Sequence, residues 1–431
     1  MDYAKPPCGG RRDGLTQWAR PPNRRESTVI IIVKIPELLN KRRVDEMYKF
    51  IETLRFMYFP GLEGVVVKET KICLIDVENS KIYYRGYDLE ELAERSTFEE
   101  TTYLLWHGSL PRRSELEEFK RALARHRLPP SHVIDLVVNA PRSAEPIDVL
   151  RTAVSAMAFG EDLRDRSPQA ELARGLKITG AMPYVVAAFD RSRRGLKPPE
   201  LVEAGSHAEF FLWALRGERP SPREVKAFDV MLIIYAEHSM NNSAFTAVTV
   251  ASTLADMYAA VTAAVASLKG PLHGGANVDA SLMLEEVGDA KNVERWVDEQ
   301  LAKGRRIPGF GHRIYKRGPD PRLRVLRRLA RDLAAERGDY RWVELAERLE
   351  EYVTAKLSHK GIYPNTDLYA AVIFRYLGLP VDVNLPVFAM SRVAGWVAHV
   401  VEYRQANRLI RPTERYTGPV GLRYVPIEER G

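Results

Sequence analysis

The run AFTAVTVASTLADMYAAVTAAVASL, from Ala244 to Leu268, is the longest nearly uncharged stretch of the chain. Its reading decides the fold class, because it is long enough to span a bilayer. It also carries Asp256, Ser252, Ser267 and several threonines among many alanines. Polar and ionisable side chains are costly in hydrocarbon, whereas small residues let another helix approach closely. We read the run as one buried helix of a protein outside the membrane.

The sequence around it supports helices almost to the C-terminus. Val225, Phe228, Leu232 and Tyr235 fall on one helical face. Asp320 is placed to cap a helix with Pro321 at its first position, Leu323, Leu326, Ala330 and Leu333 inward, and Gly338 at its end. Trp342, Leu345, Leu349 and Tyr352 mark a further helix that closes at Gly361. Another runs from Thr366 to Leu377, stopped by Gly378 and Pro380. Before these helices lie two runs of β type, 64–76 and 81–85, with a turn at Glu78-Asn79-Ser80. Residues 1–40, with Pro6-Pro7, Gly9-Gly10 and Pro21-Pro22 amid arginines, read as a poorly ordered extension or arm. The expected fold is mainly α with a small N-terminal β element.

The composition excludes several classes. Of 431 residues, 45% are hydrophobic and 28% charged, which rules out a disordered, collagen-like or disulfide-scaffold protein. Two cysteines, Cys8 and Cys73, are too few for a four-thiolate zinc site or a disulfide framework, though one bridge between them stays open. The net charge of +7 invites a nucleic-acid reading. It is dilute over this length and interleaved with acids, so a solvated mixed-charge surface is favoured. The run Val29–Val33 is too short for a signal-peptide core, and a cytoplasmic location is expected.

Three of the nine histidines stand in informative settings. His238 lies in Glu237-His238-Ser239-Met240-Asn241-Asn242-Ser243. His273 lies in Gly270-Pro271-Leu272-His273-Gly274-Gly275-Ala276-Asn277. His312 lies in Pro308-Gly309-Phe310-Gly311-His312-Arg313-Ile314-Tyr315-Lys316. The last two read as loop-to-helix junctions framed by glycine, which allows close approach to a ligand. A helix N-terminus there favours a neutral imidazole that can donate a hydrogen bond. Each histidine alone reads more simply as a structural residue beside a turn; together they point to a site. Their spacing fits no zinc motif, so no metal is expected. Asp367, after Asn365-Thr366, reads first as a helix cap. Arg322, Arg392 and Arg411 read equally as surface residues. Arg322 is the most telling, since a cation in the first turn of a helix opposes the dipole, a cost easier to explain if an anion binds beside it.

These motifs, in order, resemble the citrate synthase family in its archaeal and bacterial form. The resemblance also runs through Gly61-Leu62-Glu63-Gly64-Val65-Val66, Tyr84-Arg85-Gly86-Tyr87-Asp88, Asp148–Ala156 and Asn407–Pro412, and covers about residues 60–420. Val278 and Asn242-Ser243-Ala244 depart from the usual pattern. The resemblance implies a two-domain helical fold, with 41–276 and 379–431 as the large domain and 277–378 as the small one. It implies condensation of acetyl-CoA with oxaloacetate, with propionyl-CoA and a 2-methylcitrate product as the alternative. A basic helical nucleic-acid-binding protein is the distant rival. By the same resemblance His273 matches the donor to the thioester oxygen, Asp367 the base and His312 the group polarising the oxaloacetate carbonyl. His238, Arg322 and Arg392 match the oxaloacetate pocket, and Arg411 an arginine from the partner subunit of an obligatory dimer. Arg305, Arg306, Ile307, Gly309, Gly311 and Lys316 are the expected coenzyme A contacts. No metal or redox cofactor is implied.

Overall fold

In the computed structural model of the chain, which describes residues 58–431, the decisive run is not one helix. The Asp256 carboxylate accepts a hydrogen bond from the Ala259 amide at 3.1 Å and so caps a new helix in mid-run. The chain forms Asn242–Ser252 and Met257–Leu268 instead, with Leu254 in the left-handed region between them at φ 68°. Asp and Ser compete with helical hydrogen bonds through their own side chains, and that competition prevails here.

Sixteen α-helices follow a small sheet among the described residues. The sheet is β1 (Cys73–Asp76), β2 (Lys81–Tyr84) and β3 (Tyr87–Asp88), antiparallel in that order, with Cys73 opposite Tyr84 and Tyr84 opposite Tyr87. The first half of the molecule supplies α1 (Leu89–Arg95), α2 (Phe98–His107), α3 (Arg113–Arg125), α4 (Ser131–Val138), α5 (Pro146–Ala156), α6 (Pro168–Arg193), α7 (His207–Arg216) and α8 (Pro222–Tyr235). The second supplies α9 (Asn242–Ser252), α10 (Met257–Leu268), α11 (Ala276–Val287), α12 (Val293–Ala302), α13 (Leu323–Arg337), α14 (Arg341–Leu357), α15 (Thr366–Tyr376) and α16 (Asn384–Arg404).

The helical spacings hold at α8, α14 and α15. Two expectations need correction. The first β run is shorter than 64–76, because Glu402 of α16 takes the Lys68 ammonium at 2.5 Å and the Lys71 amide at 2.9 Å, leaving only Cys73–Asp76 to pair. The helix expected at Pro321 begins at Leu323, since Asp320 turns its carboxylate onto Arg322.

Helix α16 is buried almost throughout and organises the centre. It closes off the end of α8, whose last four carbonyls would otherwise be orphaned. Ser391 Oγ donates to Leu232 O and Arg392 Nε to Tyr235 O at 2.6 Å, while the Ala236 amide serves Ile233 O at 3.3 Å; from the sheet, the Tyr84 hydroxyl donates to Glu237 O at 2.6 Å. The segment that carries His238 is thereby anchored on both sides.

The contacts divide the described residues into one unit of 68–412 and another of 58–67 with 413–431. The described part of the latter is irregular apart from 3-10 turns at Pro60–Leu62 and Ile427–Glu429. The extension 1–40 and the Cys8 end of a bridge lie outside the described residues; Cys73 is buried. Among the described residues no helix is long and apolar enough to cross a membrane.

Candidate active site

His238 follows the end of α8, His273 lies in the turn between α10 and α11, and His312 lies in the long loop before α13. No helix starts at His312, so its charge state has a different origin from the one expected. Gly274 and Gly309 are also required by the protein's own packing. A Cβ on Gly274 would collide with the Leu268 carbonyl and Leu385, and one on Gly309 (φ 77°) would press on Leu368 at 3.0 Å.

The loop holding His312 is laced to the segment that starts α15. The Gly311 amide donates to Tyr363 O at 2.7 Å, and the Asn365 amide to Gly309 O at 2.9 Å. The Asn365 side chain donates to Gly311 O at 2.9 Å and accepts from the Asp367 amide at 2.9 Å. One asparagine thus caps the helix of Asp367 and fixes the loop of His312. The backbone groups of Gly309 and Gly311 expected to line coenzyme A are partly engaged in this lacing. Ile307 is buried, whereas Arg305, Arg306 and Lys316 are exposed.

The hydrogen bonds assign both imidazole tautomers. The Ser243 amide donates to His273 Nε2 at 3.3 Å, with the Ser243 hydroxyl 2.8 Å from the same nitrogen. An amide can only donate, so Nε2 is unprotonated. Burial, then the charge of Arg392, holds the His273 pKa at about 4, and a neutral ring carries its proton on Nδ1. The amides of Ile314 and Tyr315 donate to His312 Nδ1 at 3.1 and 3.4 Å. Burial, then Arg322, lowers this group to about 4 as well, which leaves an N–H at Nε2. His238 is neutral for the same reason, buried beside Arg322, His312 and Arg392. Its ring stands nearly perpendicular to that of His312 at 5.5 Å.

Asp367 accepts from Asn277 Nδ2 at 3.3 Å. Burial raises its pKa to about 6, against the pull of that hydrogen bond and of Arg322. The carboxylate is therefore a stronger base than an exposed aspartate and remains ionised at neutral pH.

Two of the expected arginines are inside. Arg322 and Arg392 are 5% and 2% exposed. The anion beside Arg322 is the chain's own Asp320, which grips its guanidinium at 2.9 and 2.7 Å, so the cation at the helix start does not by itself call for a bound anion. Buried guanidinium groups cannot lie along a polyanion, so the net charge is not a nucleic-acid surface at this site. Arg411 does not join the cluster in its own chain; it is exposed and donates to its neighbour Pro412.

Ligand atoms of His238, His312 and Asp320 lie within 4.8 Å of one another. Both Asp320 oxygens are taken by Arg322, and His312 Nδ1 faces its own backbone, so the donor set does not suit a metal. Sequence reasoning did not assign roles to Ser243, Asn277, Tyr315 and Asn365. All four lie in the quoted motifs or next to Asp367, and the polar residue inside a glycine-framed motif was the available signal.

The site is thus one of paired neutral donors and a raised carboxylate, the equipment of carbon-acid chemistry rather than of metal hydrolysis. The profile of the family described as citrate synthase, C-terminal domain, matches residues 61–413. A citrate synthase of Haloferax volcanii is 43% identical over 378 residues, covering 86% of this chain and 98% of that protein. A 2-methylcitrate synthase of Corynebacterium glutamicum is 38% identical over 376 residues, covering 86% and 97%. A citrate synthase of Thermoplasma acidophilum, solved as a ternary complex with carboxymethyl coenzyme A and oxaloacetate, superposes with a TM-score of 0.82 at 34% identity, covering 87% of this chain and all of that one. The chain belongs to the citrate synthase family. It is an acyltransferase of the citrate synthase type.

Proposed function

We propose that the chain condenses acetyl-CoA with oxaloacetate and hydrolyses the resulting thioester to citrate and coenzyme A. The observation that carries this reading is the pair of neutral histidines, each locked by backbone amides at one nitrogen so that the other N–H is free to donate. Asp367 takes a proton from the acetyl methyl group. His273 Nδ1–H meets the charge forming on the thioester oxygen, a donor of the kind whose loss costs about 3–4 kcal/mol. The enol carbon then bonds to the ketone carbon of oxaloacetate, and His312 Nε2–H meets the charge on that ketone oxygen. Water finally cleaves the thioester and releases the thiol.

His238, Arg322 and Arg392 hold the dicarboxylate. Arg322 is already shared with Asp320, so its fork keeps an aligned orientation for a second carboxylate. Arg411 is proposed to reach the site of a partner subunit in a homodimer. Arg305, Arg306 and Lys316, with the backbone near Ile307, Gly309 and Gly311, are proposed to receive coenzyme A. Residues 277–378 would close as a small domain over the substrates and exclude water. The donors and base are all side chains, so the proposed reaction uses no metal or redox cofactor, and the proposed location is the cytoplasm.

Propionyl-CoA differs by one methylene, worth only about 1–3 kcal/mol of discrimination. Thiol release with each acyl-CoA in the presence of oxaloacetate tests the choice. Acetyl-CoA is expected to turn over faster; a preference for propionyl-CoA of about tenfold or more would make the 2-methylcitrate reading the correct one.

A further inference from the structure

Tyr315 is assigned no part in the chemistry above, yet it touches both histidines of the oxaloacetate pocket. The side chain is 4% exposed. Its hydroxyl lies 2.9 Å from His238 Nε2. Its ring stacks on His312, with centroids 4.5 Å apart and planes at 27°. Its own amide is one of the two that hold His312 Nδ1. Burial pushes the phenol pKa up, so the hydroxyl keeps its proton beside a neutral His238. The contact is therefore a neutral hydrogen bond, and it fixes the plane of a ring flanked by Arg322 and Arg392.

We propose that Tyr315 is a positioning residue with two separable tasks: its hydroxyl orients His238 for the dicarboxylate, and its ring orients His312 toward the carbonyl. The first task acts on binding. A free imidazole that must be reoriented binds its ligand more weakly, by the worth of one hydrogen bond. The second acts on the reaction, because a donor misplaced by about 1 Å loses much of its effect on developing charge. The proposal rests on the oxaloacetate reading of the site.

Two variants of the full chain separate the tasks. Tyr315→Phe keeps the ring and removes the hydroxyl; Tyr315→Leu removes both. Oxaloacetate affinity is read by calorimetry, independently of turnover, and kcat and KM by thiol release. Tyr315→Phe is expected to weaken oxaloacetate about tenfold with kcat within about twofold of the parent. Tyr315→Leu is expected to weaken it similarly and to lower kcat by a further factor of about 100. Unchanged affinity in Tyr315→Phe overturns the hydroxyl's task, and equal kcat in the two variants overturns the ring's. A fall in melting temperature with affinity and kcat unchanged marks a purely structural tyrosine and overturns both. A parent protein that binds oxaloacetate but releases no thiol overturns the reaction reading and the ring's task, while calorimetry still decides the hydroxyl. A parent that binds no oxaloacetate overturns the whole.

Discussion

Asp367 is the residue on which the chemistry turns. Burial lifts its pKa to about 6, above the ordinary aspartate value of 3.8. A general base must be ionised, so kcat/KM is expected to fall as pH drops through about 6, with one proton taken up. His273 and His312 lie at about 4 and stay neutral across that window, so they do not set this limb. A profile of kcat/KM against pH checks the assignment. Asp367→Asn should lower kcat by about 10²–10⁴-fold while oxaloacetate affinity measured by calorimetry stays within about twofold. The three histidines stood out in the sequence because glycine, histidine and asparagine in fixed order carry a motif, whereas Asp367 read on its own as a helix cap and was singled out only through the family resemblance. The tautomers were not, since they depend on which amide faces which nitrogen. Nor was the Asp320 grip on Arg322 foreseen. The same Asp read as a helix cap, and only the turn at Asp320–Arg322 shows that its carboxylate meets the guanidinium as well as the amide.

At the scale of elements, the site is held by joints between helices rather than by any one helix. Asn365 joins the start of α15 to the loop of His312. Asn365→Ala should cost about 1–2 kcal/mol in thermal or denaturant unfolding, as for other lost caps. Unlike an ordinary cap, it should also lower kcat, because Asp367 and His312 both lose their anchor. The joint between α16 and the end of α8 is tighter. The Gly395 amide donates to Ala236 O at 3.0 Å, and a Cβ there would overlap the carboxylate of Glu237, which is paired with His399 at 2.9 Å. Gly395→Ala is expected to destabilise the fold by about 1–3 kcal/mol, measured by denaturant unfolding. Apolar periodicity revealed α8, α14 and α15 because their buried faces repeat at helical spacing. It failed at 244–268, where small apolar residues continue across the break and the signal lay in one capping aspartate. It failed again at 68–72, where a β-type sequence is drawn onto Glu402 by two hydrogen bonds that no local pattern announces.

For the whole molecule, the excess of basic residues divides by burial. Arg322 and Arg392 sit inside the site. Others form surface pairs and small networks, such as Arg121 and Arg125 on Glu118, each pair worth only about 0–1 kcal/mol. The exposed Arg411 does not join the site of its own chain, and its proposed place in a partner's site comes from the family resemblance. Arg411→Ala and Asp367→Asn should each be nearly inactive alone, yet a mixture of the two should recover activity. One site of a mixed dimer then keeps both an intact base and an intact partner arginine; failure to complement would remove Arg411 from that role. The central claim is that Asp367, His273 and His312 together make and use an acetyl-CoA enol. It is tested most directly by oxaloacetate-dependent thiol release from acetyl-CoA, run side by side on the parent chain and Asp367→Asn. The expected result is release that requires oxaloacetate in the parent and is lost in the variant; release that ignores oxaloacetate, or that survives the loss of the carboxylate, would contradict it.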